Sequence, residues 1–185
     1  MILSNTDIRK YIEIGMIKIE PHLEKRIYPA SYAFTLGEML LRPVGNEIVD
    51  FKRKLLPEYE EIRITKEFGY TLNPGEFILG QTHEKLTLCP ELAMIIEGRS
   101  TLARCGIEVV QTSTFIEPNH TDSIITLEIR NNSKAAFVLY PHMEFAKGIF
   151  FKLASPASAD GNQGTYITQT EVEPPKIDGI IDSSD

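Results

Sequence analysis

The chain reads, at residues 97–106, Glu97-Gly98-Arg99-Ser100-Thr101-Leu102-Ala103-Arg104-Cys105-Gly106. Two guanidinium groups and two hydroxyls fall within this run, next to a glycine-flanked turn. Arginine offers a rigid fork of donors that matches phosphate oxygens, so the run predicts a nucleotide as the ligand. A plainer interpretation fits the same residues: a turn into a short surface helix, with Ser100 as its cap and Arg99 and Arg104 solvated.

The rest of the chain predicts one short helix followed mostly by strands. Ser4 and Asp7 can cap a helix that ends near Gly15. Short alternating or apolar runs then recur at close spacing, which favours a barrel or a sandwich. These runs cover residues 16–20, parts of 62–70, and residues 76–81, 93–96, 107–110, 123–129, 135–140 and 147–153.

The C-terminal part of the chain differs in composition from the rest. Residues 155–185 hold Ser, Gly, Pro and Asp with few large apolar groups, so we expect them to be mobile unless a ligand or a neighbouring subunit orders them. At 185 residues the chain is long enough for one domain and does not require two. We predict a nucleotide-binding β domain at residues 1–154 and a flexible lid or tail at residues 155–185.

Charge and cysteine usage exclude several classes of protein. A net charge of −7 argues against a protein that coats nucleic acid, because backbone binding needs a basic surface. Cys89 and Cys105 lie among apolar residues, as reduced buried thiols do, and predict a cytoplasmic location. The sequence has no signal-like segment and no apolar run near ~20 residues, so neither secretion nor a membrane is expected.

Further motifs occur in order along the chain. They are Met1-Ile2-Leu3-Ser4-Asn5-Thr6-Asp7-Ile8, Pro29-Ala30-Ser31-Tyr32 with Leu36-Gly37, Pro74-Gly75-Glu76-Phe77-Ile78-Leu79-Gly80, Thr82-His83-Glu84, Leu88-Cys89-Pro90 and the run Gly98 to Arg104. In this order they resemble the deoxycytidine triphosphate (dCTP) deaminases, which share the trimeric fold of the dUTPases. The resemblance covers residues 1 to about 150 and, loosely, 166–177. It implies a mainly β, dUTPase-like distorted barrel or jelly roll, and sites between the subunits of a homotrimer or a dimer of trimers.

The resemblance implies metal-free hydrolytic deamination of dCTP to dUTP and ammonia, with Glu128 as base and then acid. One carboxylate can take a proton from the attacking water, protonate ring N3 and deliver a proton to the departing amine. Ser100 would hold the water, while Arg104 would keep Glu128 ionised and orient the base. The plainer interpretation of Glu128 is an outward-facing residue on an alternating strand.

Contacts to the nucleotide are also implied by the resemblance. Arg99 and Thr101 would contact the phosphates, with Mg²⁺ bridging the triphosphate oxygens. Zinc is not expected, because His142-Met143-Glu144 has no downstream Pro-Cys-x-x-Cys partner. The full set of substrate-binding residues implied in this way is Arg99, Ser100, Thr101, Arg104, Thr112, Ser113, Glu117, Thr126, Leu127, Glu128, Tyr166 and Gln169.

The chain departs from the family pattern at several positions. Glu117 stands where most relatives carry an aspartate that receives the sugar 3′-hydroxyl, and Thr165 stands where a lysine contacts the triphosphate. The loop at residues 119–123 runs one residue longer before Glu128 and lacks the usual glycines. Two alternatives therefore stay open. One is a dUTP pyrophosphatase or a bifunctional deaminase and pyrophosphatase, with Glu117 activating water against the α-phosphate; the other is a non-catalytic nucleotide-binding or regulatory homologue.

Overall fold

A computed structural model describes residues 1–45, 48–158, 166, 168–177 and 180. The helices in this part of the chain are α1 (Asn5–Glu13) and α2 (Ser100–Arg104), with a 3-10 turn at Glu24–Arg26. The strands are β1 (Ile17–Glu20), β2 (Ile27–Tyr28), β3 (Ser31–Thr35), β4 (Met39–Val44), β5 (Glu58–Arg63), β6 (Tyr70–Leu72), β7 (Phe77–Gln81), β8 (Lys85–Leu88), β9 (Leu92–Gly98), β10 (Ile107–Glu108), β11 (Phe115–Ile116), β12 (Thr126–Asn131), β13 (Phe137–Leu139) and β14 (Glu144–Lys152). The prediction of a mainly β chain with a short N-terminal helix is confirmed.

The strands form two five-stranded antiparallel sheets and two smaller pairs. The first sheet has the order β10-β12-β7-β4-β5, and the second has the order β11-β9-β14-β3-β2. Strands β1 and β8 form one pair, and β6 and β13 form the other. Both large sheets end in edge strands, so the described residues form open sheets and not a closed barrel.

One hydrophobic core joins the two large sheets. Leu40 and Ile129 of the first sheet belong to the same buried cluster as Phe34, Met94 and Phe150 of the second. Each of these five side chains is fully buried, and burying such a side chain contributes about 1.5–3 kcal/mol. The shared core fixes the two sheets against each other, and therefore fixes the residues that their outer faces carry.

The N-terminal helix begins and ends where the sequence predicts. Ser4 caps α1 with a reciprocal pair of hydrogen bonds, since its hydroxyl accepts from the Asp7 amide and the Asp7 carboxylate accepts from the Ser4 amide. Gly15 follows the helix with φ of 77°, in the left-handed region that glycine adopts without steric cost. Ile8 is fully buried and attaches the helix to the core.

The prediction that parts of residues 62–70 form strand holds only at the two ends of this stretch. Strand β5 ends at Arg63 and β6 begins only at Tyr70. Between them, the hydroxyl of Thr65 accepts hydrogen bonds from the amides of Glu67 and Phe68, and this local turn competes with strand pairing.

The sheets also decide where the two predicted halves of the site lie. In β12, Leu127 and Ile129 are buried in the core, so the alternation turns Glu128 to the opposite face. The run that begins at Arg99 follows β9, which belongs to the second sheet. The proposed base and the arginine motif therefore start from different sheets.

The described part of the C-terminal tail packs on the first sheet, which the composition did not predict. Val172 is 7% exposed and packs with Leu41 and Leu79, so an apolar contact contributes to tail docking. The amide of Val172 also donates to Gln81 Oε1 at 2.7 Å. Thr165 lies outside the described residues. No helix in the described parts of the chain is long and apolar enough to cross a membrane.

Candidate active site

A cleft of about 550 Å³ opens beside the outer face of β12. Its lining combines apolar and polar side chains from the first sheet, from the segment around β11 and from the tail. This mixture is typical of a small-molecule site, with apolar walls and a few polar groups that orient the ligand. The predicted site residues that line it are Thr112, Ser113, Glu117, Thr126, Glu128, Tyr166 and Gln169.

Glu128 is half-buried in this cleft, and the main chain holds one of its oxygens. Its Oε2 accepts a hydrogen bond from the backbone amide of Gln111 at 3.1 Å. Oε1 has no hydrogen-bond partner in the described part of the chain, so it is the oxygen available to a ligand. The alternating-strand interpretation was therefore correct for the backbone, and the outer face of β12 is the wall of the cleft. Leu127 does not line the cleft, because its side chain points into the core.

The tail forms one wall of the cleft through Gln169. Gln169 is 5% exposed, and its backbone carbonyl accepts from the Ile124 amide at 2.9 Å. Its Oε1 accepts from the Thr126 hydroxyl at 3.1 Å. Lys176 and Gln169 both lower the pKa of the Glu173 carboxyl, with Lys176 as the larger cause. The Gln169 carboxamide is thus already used to attach the tail.

Tyr166 lines the cleft from the same segment. Its hydroxyl accepts a hydrogen bond from the Lys176 backbone amide at 2.7 Å, and the Lys176 ammonium lies 5.3 Å from the centre of its ring. These two contacts with Lys176 hold Tyr166 in a defined position in the cleft wall.

The arginine motif does not line this cleft. Arg99 forms an ion pair with Glu144, donates to the Tyr28 hydroxyl at 3.3 Å and stacks on its ring at 5.6 Å. The prediction of a solvated Arg99 is therefore wrong, because this side chain is ordered by an anion and an aromatic ring. Ser100 begins α2, and Arg99, not Ser100, occupies the capping position, with no side-chain hydrogen bond there.

Ser100, Thr101 and Arg104 are exposed on the protein surface. A single chain therefore brings together the predicted residues of β12, the 112–117 segment and the tail, and keeps the predicted residues of the arginine motif apart from them. Both groups of residues are accessible, so the separation is compatible with a site completed by another subunit.

Several cleft residues were not predicted from the sequence. Gln111 acts through its backbone amide, which no side-chain pattern reveals. Tyr59 and Phe77 are strand residues with no distinctive sequence pattern, and they line the cleft because the tail packs near them. His120 is 5% exposed, and burial lowers its pKa; the longer 119–123 loop was its only sequence signal.

The cysteines are free, and neither is fully buried as the sequence predicted. Cys89 is half-buried, and burial raises the pKa of its thiol, whereas Cys105 is exposed at the end of α2. In the part of the chain that the structure describes, no group of three or more His, Cys, Asp or Glu side chains is arranged to hold a metal ion.

Comparison with known proteins agrees with the fold. The sequence profile of the dCTP deaminase-like family matches residues 2–153. A "dCTP deaminase, dUMP-forming" of Dictyoglomus thermophilum is 38% identical over 162 residues, which are 85% of this chain and 83% of that protein. A protein of the same description from Methanothermobacter thermautotrophicus is 33% identical over 185 residues, 95% of this chain and 93% of that protein.

A solved structure is similar in fold. The 2′-deoxycytidine 5′-triphosphate deaminase of Agrobacterium tumefaciens superposes with a TM-score of 0.62 at 20% identity, over 80% of this chain and 47% of that chain. The chain belongs to the dCTP deaminase-like family. The resemblance read from the ordered motifs is confirmed.

Proposed function

We propose that the protein converts dCTP into dUMP, ammonia and pyrophosphate in two hydrolytic steps. In the first step, water adds to C4 of cytosine and ammonia leaves, giving dUTP. In the second step, water attacks the α-phosphorus and pyrophosphate leaves. The observation that carries this proposal is that Glu117 and Glu128 line one cleft, while the third carboxylate there, Glu173, forms an ion pair with Lys176. The names of the relatives support the same product, and dUTP, the product predicted from the sequence, becomes the intermediate.

Glu128 is the proposed proton shuttle of the first step. Its Oε2 is fixed by the Gln111 amide, while Oε1 is available to take a proton from water, pass one to ring N3 and deliver one to the departing amine. A carboxylate on a strand of the first sheet keeps its position through these transfers, because Leu127 and Ile129 anchor the strand in the core. Backbone groups of Thr126 to Glu128 read the cytosine edge in this proposal.

Glu117 is the proposed base of the second step. It is exposed within the cleft and, in the described part of the chain, its carboxylate forms no hydrogen bond. It is therefore free to orient a water molecule against the α-phosphate. Thr112 and Ser113, on the same segment, help to position water.

The assembly that completes this site is proposed to be a homotrimer or a dimer of trimers. Ser100, Thr101 and Arg104 are exposed outside their own cleft, so they can serve the cleft of a neighbour only across an interface. Cyclic symmetry repeats the same contact at every boundary and leaves no site incomplete. Arg99, held by Glu144 and Tyr28, presents its remaining donors to the phosphates in this arrangement.

The proposed metal requirement is Mg²⁺ held through the substrate triphosphate, with no catalytic zinc. Magnesium needs few protein ligands when phosphates supply them, so a site without a carboxylate cluster fits this role. The free thiols of Cys89 and Cys105 support a reducing compartment, and we propose the cytoplasm. No nucleic-acid polymer and no membrane is proposed as a partner.

Product analysis tests the proposed function. Purified protein incubated with dCTP and Mg²⁺ is expected to form dUMP, ammonia and pyrophosphate in equal amounts, with activity retained after treatment with a zinc-selective chelator. Accumulation of dUTP alone would show a deaminase without the second step. Turnover of dUTP but not dCTP would show a pyrophosphatase, and no turnover of either nucleotide would support the non-catalytic alternative.

Detaching the tail is expected to weaken dCTP binding and to slow turnover. Truncation before Ser158, or Val172→Asp, removes the wall that carries Gln169 and Tyr166, so the KM for dCTP should rise and kcat should fall. The loss of one or two hydrogen bonds of order 1 kcal/mol each predicts about a five- to thirtyfold change in kcat/KM. Steady-state kinetics provide the measurement, and Glu171→Ala, an exposed neighbour, is the matched control. Unchanged kinetics after truncation would show that the tail is not part of the site.

A further inference from the structure

His120 is a buried histidine in the wall of the cleft with an unused nitrogen. Its side chain is 5% exposed, and it lines the cleft together with Ile116, Ile124 and Ile125. Its Nε2 is buried and has no hydrogen-bond partner in the described part of the chain. Buried side-chain nitrogens are nearly always hydrogen-bonded, so an unpaired one at a binding cleft points to a ligand group that completes it.

The loop that carries His120 is fixed in place by the neighbouring strand β8. The carbonyl of His120 accepts from the Leu88 amide at 2.8 Å, and the Asp122 amide donates to the Thr87 hydroxyl at 2.9 Å. Asn119 and Asp122 both adopt positive φ, at 62° and 42°, which turns the chain on either side of the histidine. Because these bonds fix the backbone at His120 and Asp122, the loop gives His120 a defined place beside the cleft.

The chemistry of the ring allows Nε2 to act as a hydrogen-bond acceptor. Burial lowers the pKa of His120, which favours the neutral ring. A neutral imidazole has one protonated nitrogen and one nitrogen with a free lone pair. With the proton on Nδ1, the lone pair lies on Nε2, where the described part of the chain offers no donor.

We infer that Nε2 of His120 accepts a hydrogen bond from the 3′-hydroxyl of the bound deoxyribose and so selects substrates that carry this hydroxyl. This inference rests on the proposed function. Ionised dCTP has two kinds of donor, the 3′-hydroxyl and the 4-amino group. The 4-amino group must lie at Glu128 for deamination, which leaves the 3′-hydroxyl as the donor for His120. The isoleucines beside His120 suit the carbon-rich face of a sugar.

This assignment gives Glu117 a single task. A 3′-hydroxyl has one hydrogen to donate, so its bond to His120 removes the need for a carboxylate to receive it. The Glu117 side chain is then available to the water that attacks the α-phosphate.

The inference is tested by removing the 3′-hydroxyl from the ligand and the imidazole from the protein, separately and together. Binding of dCTP and of 2′,3′-dideoxycytidine triphosphate is measured by calorimetry in Glu128→Gln protein, which does not consume the base. With His120 present, dCTP is expected to bind about 10- to 100-fold more tightly than the dideoxy analogue, because the analogue leaves a buried acceptor unpaired. With His120→Phe, or with His120→Leu as a second apolar variant, the ratio should fall below about threefold.

Two further variants separate the hydrogen bond from general damage to the loop. His120→Gln, whose amide oxygen reaches the place of Nε2, should restore part of the preference for dCTP, and Thr121→Ala should keep the original ratio. An unchanged ratio in the apolar variants would overturn the inference while leaving the proposed function intact. Failure of dCTP to bind the His120-containing protein would overturn both.

Discussion

Replacing Glu128 with glutamine is expected to reduce dCTP deamination by about a thousandfold, while dCTP still binds within about threefold of its original affinity. General acid–base catalysis by one positioned group typically contributes 10²–10⁴-fold, and here one carboxylate performs three proton transfers. Glutamine preserves the shape and can still accept the Gln111 amide through its side-chain oxygen, but it cannot take up and return a proton. Single-turnover kinetics with dCTP, together with calorimetric binding, provide the measurement.

Glu117→Gln is the matched control, because it applies the same change to the carboxylate that is proposed to serve the second step. We expect this variant to release ammonia from dCTP at a near-normal rate and to accumulate dUTP, since only the second step loses its base. Near-normal ammonia release by Glu128→Gln would remove Glu128 from the mechanism. Equal loss of ammonia release in both variants would contradict the division of labour between the two carboxylates.

Replacing Arg104 with alanine is expected to lower kcat/KM for dCTP by about a hundredfold without weakening the fold. Arg104 is exposed in its own subunit, so its removal should change the free energy of unfolding by no more than about 0.5 kcal/mol. In the proposed assembly it acts on a neighbouring site, and removing one preorganised group that stabilises charge typically costs 10²–10³-fold. Steady-state kinetics and thermal unfolding measure the two effects separately.

Arg130→Ala is the control for Arg104, because Arg130 is an exposed arginine on β12 that does not line the cleft. Its kinetics should stay within about twofold of the unmodified protein. Full activity in Arg104→Ala would show that the arginine motif is a surface helix without a catalytic task, as the plainer interpretation of its sequence proposed.

The sequence predicted those parts of the fold that depend on local patterns. The capping pair Ser4 and Asp7 and the left-handed Gly15 define α1 from neighbours in the chain alone. Strand β3 could not be predicted from alternation, because all five of its residues are buried and apolar and polar positions do not alternate. The stretch 62–70 shows the opposite limit, because its middle alternates in sequence but contains a turn formed by Thr65.

The candidate site was also predicted only in part from the sequence. The resemblance located Glu128 and the arginine motif, because their residue types are ordered along the chain. The ordering could not show that Arg99 is held by Glu144, which lies far away in sequence and is brought near only by the pairing of β9 with β14. Val172 and His120 were missed because their positions depend on how the tail and the 119–123 loop pack. Such packing leaves no periodic pattern in the sequence.

Complementation between two inactive variants tests most directly whether the site is shared between subunits. Glu128→Gln and Arg104→Ala subunits are coexpressed in equal amounts with different affinity tags, and the mixed oligomers are purified through both tags. In a cyclic trimer each mixed oligomer contains one site of three built from two intact halves, so unfractionated random trimers should recover about a quarter of the original activity. The account predicts about a third in the purified mixed fraction. Activity no higher than that of the separate variants would contradict it.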